Sequence, residues 1–352
     1  MHRIRTLLRP APALFLLLGT AAAQQSQRGA LIVLNKSEAT ASIIDAGGGR
    51  TLATVPTGPF PHEVAVSPDG RLAVVANYGN ATVPGSTLSV LDLEAARVTR
   101  TVDLGTYRRP HGIAWSRDGR TVAVTVEADQ AVLVVDAGSW TVVRAIPTGQ
   151  QVSHMVALAP DGRRAYVASI GSGSVAMLDL EAGTRLRVAP TGAGTEGIDV
   201  SPDGREVWAT NRAANTVRVL DAATLDTLAT IPAADFPIRV KLTPDGRLAL
   251  VSCARSSEVR VFDTATRRAV GTIRFPLDTT RATMTILGTQ FAGSAVPIGI
   301  LIAPDGRTAW VATGATGQVA EVDIAARRIV RYLTAGLEPD GLGFTPNPVA
   351  PR

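Results

Sequence analysis

Val64-Ala65-Val66-Ser67-Pro68-Asp69-Gly70-Arg71-Leu72-Ala73-Val74-Val75-Ala76 decides the fold. Two runs of β-branched and small apolar residues flank Ser-Pro-Asp-Gly, and Asp-Gly between such runs is the signature of a tight hairpin. The phrase returns as Ser116-Arg117-Asp118-Gly119, Ala159-Pro160-Asp161-Gly162, Ser201-Pro202-Asp203-Gly204, Thr243-Pro244-Asp245-Gly246 and Ala303-Pro304-Asp305-Gly306. A worn seventh copy is Thr345-Pro346-Asn347. A second marker, an Asp closing an apolar run, occurs at Asp45, Asp92, Asp136, Asp179, Asp221, Asp263 and Asp323. Each unit therefore reads as four strands: A (residues 64–66 in the unit quoted), B (72–76), C (88–91) and D (98–102).

The spacings say more. From the strand C Asp to the end of strand D is 13 residues in all seven units, at Gly58, Gly105, Gly149, Gly192, Ala234, Pro276 and Gly336. From the end of strand B to the same Asp is 10 residues in six units and 15 between Asn77 and Asp92. The D–A connections vary most, and one of them, before Ile298, is 22 residues long. All length variation thus falls in D–A loops and one B–C loop, which leave a four-stranded meander on the same side. Insertions confined to one face mark the working face of a repeat architecture.

Seven such units predict an all-β, seven-bladed β-propeller of four-stranded antiparallel blades. The chain starts with strands B, C and D and ends with a lone strand A at Leu342-Gly343-Phe344. Pairing of that C-terminal strand with the N-terminal blade would close the ring and leave no bare edge.

The repeat phrase Pro-x-x-[IV]-Ala-x-Ser-Pro-Asp-Gly-Arg, followed by a Val-rich strand, Val-x-Val-[IL]-Asp and Thr-Gly, resembles that of the YVTN/YncE-like propeller family over about residues 29–347. An Asn ends strand B at Asn35, Asn77 and Asn211, as in that family, but Val126, Ser169, Cys253 and Thr313 replace it elsewhere. A broader resemblance extends to propellers of quinoprotein and amine-dehydrogenase systems and of nitrous-oxide and haem-d1 nitrite reductases. It implies a periplasmic compartment more directly than a reaction.

Outside the repeats, residues 1–23 read as a signal peptide. Arg3, Arg5 and Arg9 precede a short apolar stretch and the small residues Ala21-Ala22-Ala23. A lead-in at 24–29, the propeller at 30–347 with an insertion at 277–296, and a tail at 348–352 follow. The expected location is periplasmic or secreted, without membrane insertion and without a lipid-anchor Cys. Setting the leader aside leaves 32 basic and 30 acidic residues, so the apparent pI of 9.9 does not argue for a polyanion partner. With 4% aromatic residues there is no stacking platform for nucleic acid. Cys253 is the only cysteine, which excludes an intrachain disulfide and a Cys-rich zinc site.

The position seven before each hairpin Asp reads His62, His111, His154, Glu196, Ile238, Ile298, Asp340. These residues open the innermost strands on the face that carries the insertions. Apart from His2 in the leader, every histidine lies in this register, in consecutive blades. Three imidazoles at one channel mouth could hold a divalent transition metal and leave a position open for water or substrate. Glu196 and Asp340 could serve as extra ligands or as a general base. Tyr107, Arg108 and Arg109 precede His111, and Tyr78, Arg212 and Arg255 lie on the same face. Surface Arg is ordinary in an Arg-rich chain, and Arg212 and Arg255 are read that way; the others suit recognition of an anion. Cys253 reads as a buried structural thiol.

Three functions fit. The first is an exported monomeric module that binds a small anionic ligand or a periplasmic protein through its top face. The second is a periplasmic metal-dependent enzyme, redox or hydrolytic, using His62, His111 and His154. The third is a lactonase-like hydrolase with His111 and Glu196 as catalytic candidates, since propeller lactonases work at the channel mouth. The residues do not choose among them, and they name neither metal nor substrate.

Overall fold

The structure is a computed structural model describing residues 28–283, 285–286 and 288–351. The leader assigned to residues 1–23 lies outside the described residues. Among these residues the chain forms seven four-stranded antiparallel sheets. The first holds β1 (Ala30–Asn35), β2 (Thr40–Asp45) and β3 (Thr51–Pro56), and the second β4 (Pro61–Val66), β5 (Leu72–Gly79), β6 (Pro84–Asp92) and β7 (Arg97–Asp103). The third holds β8 (Pro110–Trp115), β9 (Thr121–Val126), β10 (Ala131–Asp136) and β11 (Thr141–Pro147). Then come β12 (Ser153–Leu158), β13 (Arg164–Ser169), β14 (Ser174–Asp179), β15 (Thr184–Pro190), and β16 (Thr195–Val200), β17 (Glu206–Asn211), β18 (Thr216–Asp221), β19 (Thr227–Pro232). The sixth and seventh are β20 (Pro237–Leu242), β21 (Leu248–Cys253), β22 (Glu258–Asp263), β23 (Arg268–Arg274), and β24 (Pro297–Ile302), β25 (Thr308–Thr313), β26 (Gln318–Asp323), β27 (Arg328–Thr334). The last strand, β28 (Pro339–Thr345), joins the first sheet in the order β28-β1-β2-β3.

That pairing closes the ring. Ala30 faces Thr345, Leu31 faces Phe344, Ile32 faces Gly343 and Val33 faces Leu342. Strands β4, β8, β12, β16, β20, β24 and β28 neighbour one another in turn around the centre. Middle strands such as β9 and β13 are buried almost throughout, whereas the outermost, such as β15, are mostly exposed. Neighbouring blades pack face to face; one apolar cluster joins Val74, Ala76 and Leu88 of the second sheet to Val122, Val124 and Leu133 of the third.

Both sequence markers have local physical causes. Ser67 Oγ donates to Asp69 Oδ1 at 2.6 Å, the Arg71 N–H donates to the same oxygen at 3.0 Å, and Gly70 takes φ +71°. Only Gly adopts that φ freely, so Ser-x-Asp-Gly fixes the A–B turn. The strand C Asp ties the C–D turn: Asp221 Oδ1 accepts the N–H groups of Ala223 and Thr224.

The residue before each inner strand is left-handed in every blade: Phe60, Arg109, Val152, Gly194, Phe236, Val296 and Glu338, with φ between 49° and 74°. Six of these carry side chains, for which that conformation costs energy. Each residue of the ring register, such as His62, follows two positions after this turn, as the second residue of its inner strand.

The insertion covers the apolar side of that register. Phe291 and Val296 pack with Phe236, Ile238, Ala254, Ile298 and Ala315, and Leu277 joins them. Phe236 and Phe291 meet edge to face at 4.9 Å. Ile238 and Ile298 are apolar because a protein segment, not solvent, lies above them.

Candidate metal centre at the channel mouth

Each ring residue is the second of its inner strand, and all seven are buried. The three imidazoles form a continuous stack. Ring centroids are 4.9 Å apart for His62 and His111 and 3.6 Å for His111 and His154. Tyr78 closes on this stack, 4.5 Å from His62 and edge-on to His111 at 5.5 Å.

Each imidazole has its own electrostatic setting. His62 Nδ1 lies 2.9 Å from the Phe60 carbonyl, which makes it the donor and leaves the Nε2 lone pair free. Burial, aided by Lys36, lowers the His62 pKa to about 4. Burial and the neighbouring imidazoles drive His111 well below its ordinary value, and its Nδ1 is buried without a hydrogen-bond partner. His154 behaves oppositely. Burial opposes its charge, but Glu127 and Glu196 overcome that and raise its pKa to about 9. Its Nδ1 donates to Glu127 Oε1. Its Nε2 lies 3.2 Å from Glu196 Oε1, so the charged ring sits between two carboxylates.

The carboxylates are held in turn. Glu127, just after β9, accepts the Tyr78 O–H on Oε2 at 2.6 Å. Burial and the Glu127 charge push the Tyr78 phenol up to about 12. Glu196 accepts Arg212 Nη1 at 2.6 Å and Arg239 Nη1 at 3.3 Å. Although burial opposes ionisation, His154 and these guanidiniums hold its pKa at about 2. Arg239 also donates to Glu63 Oε1 at 2.6 Å. β4 and β20 lie on opposite sides of the ring, so this ion pair crosses the channel beneath the imidazoles. Asp340 pairs with buried Lys36 at 3.1 Å. Burial would raise the Asp340 pKa, but Lys36, Arg239 and His62 hold it low.

The expected three-His ligand set changes in one member. The side chains whose donor atoms come within 4.8 Å of one another are His111, Glu127 and His154. His62 stacks at the edge of this cluster, and Glu127 enters it because the B–C loop folds back over the inner strand.

Other anticipated residues are dispersed. Arg109 lies 5.0 Å above the Tyr78 ring, at the mouth. Tyr107 packs on the core around Leu104 and Val126. Arg108 is exposed, and its N–H bonds Asp129. Arg212, read as ordinary surface, is instead a partner of Glu196, while Arg255 rests on Phe236 and Phe291 and pairs with Asp235. Cys253 is buried, and burial pushes its thiol up to about 12.

The sequence reading missed Glu127, Lys36, Glu63 and Arg239. A signal for the first two existed. The position after strand B reads Lys36, Tyr78, Glu127, Ile170, Arg212, Ala254, Gly314, polar in nearly the blades where the ring is polar.

Comparison with known proteins contradicts the anticipated family. The family model that matches is the Cytochrome D1 heme domain, over residues 117–266, and not a YVTN/YncE-like or WD40/YVTN-like one. The repeat phrase encodes the A–B hairpin, which propellers share, so it reports a blade and not a family. The matched span includes Glu127, His154, Glu196 and Arg239 but not His62 or His111. Among solved structures the chain is similar to the hydrazine synthase of Kuenenia stuttgartiensis, with a TM-score of 0.69 and 19% identity. That alignment spans 88% of this chain and 99% of the other, and it shows the shared fold. No curated protein matches. No helix among the described residues is long and apolar enough to cross a membrane.

Proposed function

We propose that this propeller is an exported metal-dependent enzyme, redox or hydrolytic, with its centre at His111, His154 and Glu127. The observation that carries the reading is the gathering of donor atoms of His111, His154 and Glu127 within 4.8 Å of one another among the described residues, with His111 Nδ1 buried and without a hydrogen-bond partner. Buried polar atoms without partners are uncommon in native proteins and ask for an explanation. A divalent transition metal takes imidazole nitrogen and carboxylate oxygen together, so the residues fit such an ion. A bound metal would supply Lewis acidity or electron transfer.

The remaining residues do the rest. Tyr78 holds Glu127, and Glu127 in turn fixes the ring orientation of His154. Despite its burial, Glu196 is held at a pKa of about 2 by His154, Arg212 and Arg239; it is a fixed negative charge and a poor base, which weighs against the lactonase-like reading. Arg212 is part-exposed, with only one nitrogen spent on Glu196, so it can orient a small anionic substrate. The enzyme reading is favoured over a pure docking module, because a docking surface has no need of an orphan imidazole nitrogen under cover. The reading takes the protein as a monomer in the periplasm or medium, on the signal-peptide composition of residues 1–23.

The family match raises a tetrapyrrole, which the residues do not fit. His62, His111 and His154 are 6%, 2% and 8% exposed, their rings pack on one another, and the Glu63–Arg239 pair fills the channel below. No open floor remains for a flat macrocycle, and no step is assigned to one.

Elemental analysis of protein purified without chelator tests the reading. About one equivalent of a transition metal is expected, falling at least tenfold in His111→Ala and in Glu127→Ala. Full retention in both variants would remove the site.

A further inference from the structure

The opposite end of the channel holds a second feature, independent of the metal centre. A cavity of about 550 Å³ opens there, lined by all seven inner strands. Its floor is the Glu63–Arg239 ion pair that seals the channel from the imidazoles. The wall is apolar. Val66, Trp115, Leu158, Val200, Ile302 and Phe344, each at the same position of its strand, line it and are only half-buried. Large apolar side chains left open to a concave space are the usual lining of a small-molecule site, which needs only a few polar groups to orient its ligand.

Lys241 supplies such a group. Its ammonium lies 3.7 Å from Asp199 Oδ1, beyond hydrogen-bond distance, while Asp199 Oδ2 is occupied by the Leu242 N–H at 2.9 Å. Among the described residues the Lys241 ammonium makes no hydrogen bond, so at the cavity edge its donors have only a loose counter-charge. Lysine is also rare here. Lys36 and Lys241 are the only two in the chain, and both stand on the central channel.

We propose that this lower funnel binds an amphipathic carboxylate, its head on Lys241 and its hydrocarbon body along the Val66–Ile302–Phe344 wall. Hydrocarbon burial supplies most of the affinity, and the ammonium selects an anion over a neutral chain. The Glu63–Arg239 floor keeps this ligand apart from the His cluster, so the two sites fill independently.

Decanoate, titrated into the full-length protein and followed by Trp115 emission, tests the proposal, with decanol as the neutral probe and Trp115→Phe assigning the signal. The expected result is saturable binding that weakens at least tenfold in Lys241→Met and less than threefold in Lys241→Arg. His111→Ala should bind decanoate as the parent does, which separates failure here from failure of the metal reading. Absence of saturation below millimolar decanoate, equal binding of decanol, or unchanged affinity in Lys241→Met would overturn it. Calorimetric melting of each variant shows whether a lost signal reflects unfolding, and the Lys241→Arg protein then decides the outcome.

Discussion

Arg239 holds two buried carboxylates, Glu63 and Glu196, from blades on opposite sides of the channel. Burial disfavours its charge, but those carboxylates and Asp340 keep the guanidinium firmly protonated. Removing one partner of a buried ion network leaves uncompensated charge and costs about 3–5 kcal/mol. Arg239→Met should therefore lower the melting temperature markedly. Arg239→Lys should recover part of the loss, because one ammonium cannot span both carboxylates as a fork does. Differential scanning calorimetry reads both.

The imidazoles predict a stability profile for metal-stripped protein. His154 is raised to about 9, so its contribution is full below the unfolded value near 6.5 and fades as pH climbs through 9. The contribution is on the order of 3 kcal/mol. His62 is lowered to about 4, so its contribution is full above 6.5 and is lost as pH falls toward 4. Melting temperature in chelator should peak near neutrality and fall on both sides. His154→Gln should flatten the alkaline limb, and an unaltered limb in that variant would show that another group governs it.

Among the elements, the inner strands are the most tightly specified. A Cβ at Gly299 would lie 2.1 Å from the Asp340 carbonyl oxygen of the adjacent inner strand, and one at Gly112 would lie 2.6 Å from that of His154. Neighbouring strands approach this closely only because Gly stands there. Gly299→Ala must push two backbones apart, at a cost of about 1–3 kcal/mol or more. The insertion should be sensitive too. Phe291→Ala removes the ring that covers Phe236, Ile238 and Ile298, and should cost about 3–5 kcal/mol. Urea unfolding measures both.

The blades were legible because each turn carries its own chemistry: Ser-x-Asp-Gly at one end and an Asp-capped turn at the other recur with fixed spacing. The ring register was legible for the same reason, since equal spacing from the turn puts His62, His111, His154, Glu196 and Asp340 at one height. Glu127 was not, because it reaches the centre from a loop beyond the neighbouring strand. The Glu63–Arg239 pair was not either. Those residues are 176 positions apart, and only closure of the ring brings them across the channel. Arg212 was misjudged because exposure is normal for Arg, and its tie to Glu196 depends on how two blades meet.

At the scale of the molecule, everything depends on closure. β28 completes the first sheet, supplies Asp340, and stacks Phe344 on Trp310 of the neighbouring blade at 5.5 Å. Deleting residues from 339 onward bares the edge of β1 and removes one wall of the centre. Such a chain should lose its cooperative thermal transition, followed by circular dichroism. A truncated protein with an unchanged melting temperature would show that the ring does not need its clasp.

In the proposed centre, two imidazoles from adjacent blades and the Glu127 carboxylate meet at the top of the ring. Its most direct test is metal stoichiometry after supplying the purified chain with Zn, Cu, Fe and Ni in turn and removing the excess. The account predicts about one tightly held equivalent of at least one metal in the parent protein and less than a tenth in the His111→Ala/His154→Ala double variant. No retained metal in the parent, or equal retention in the double variant, would contradict it.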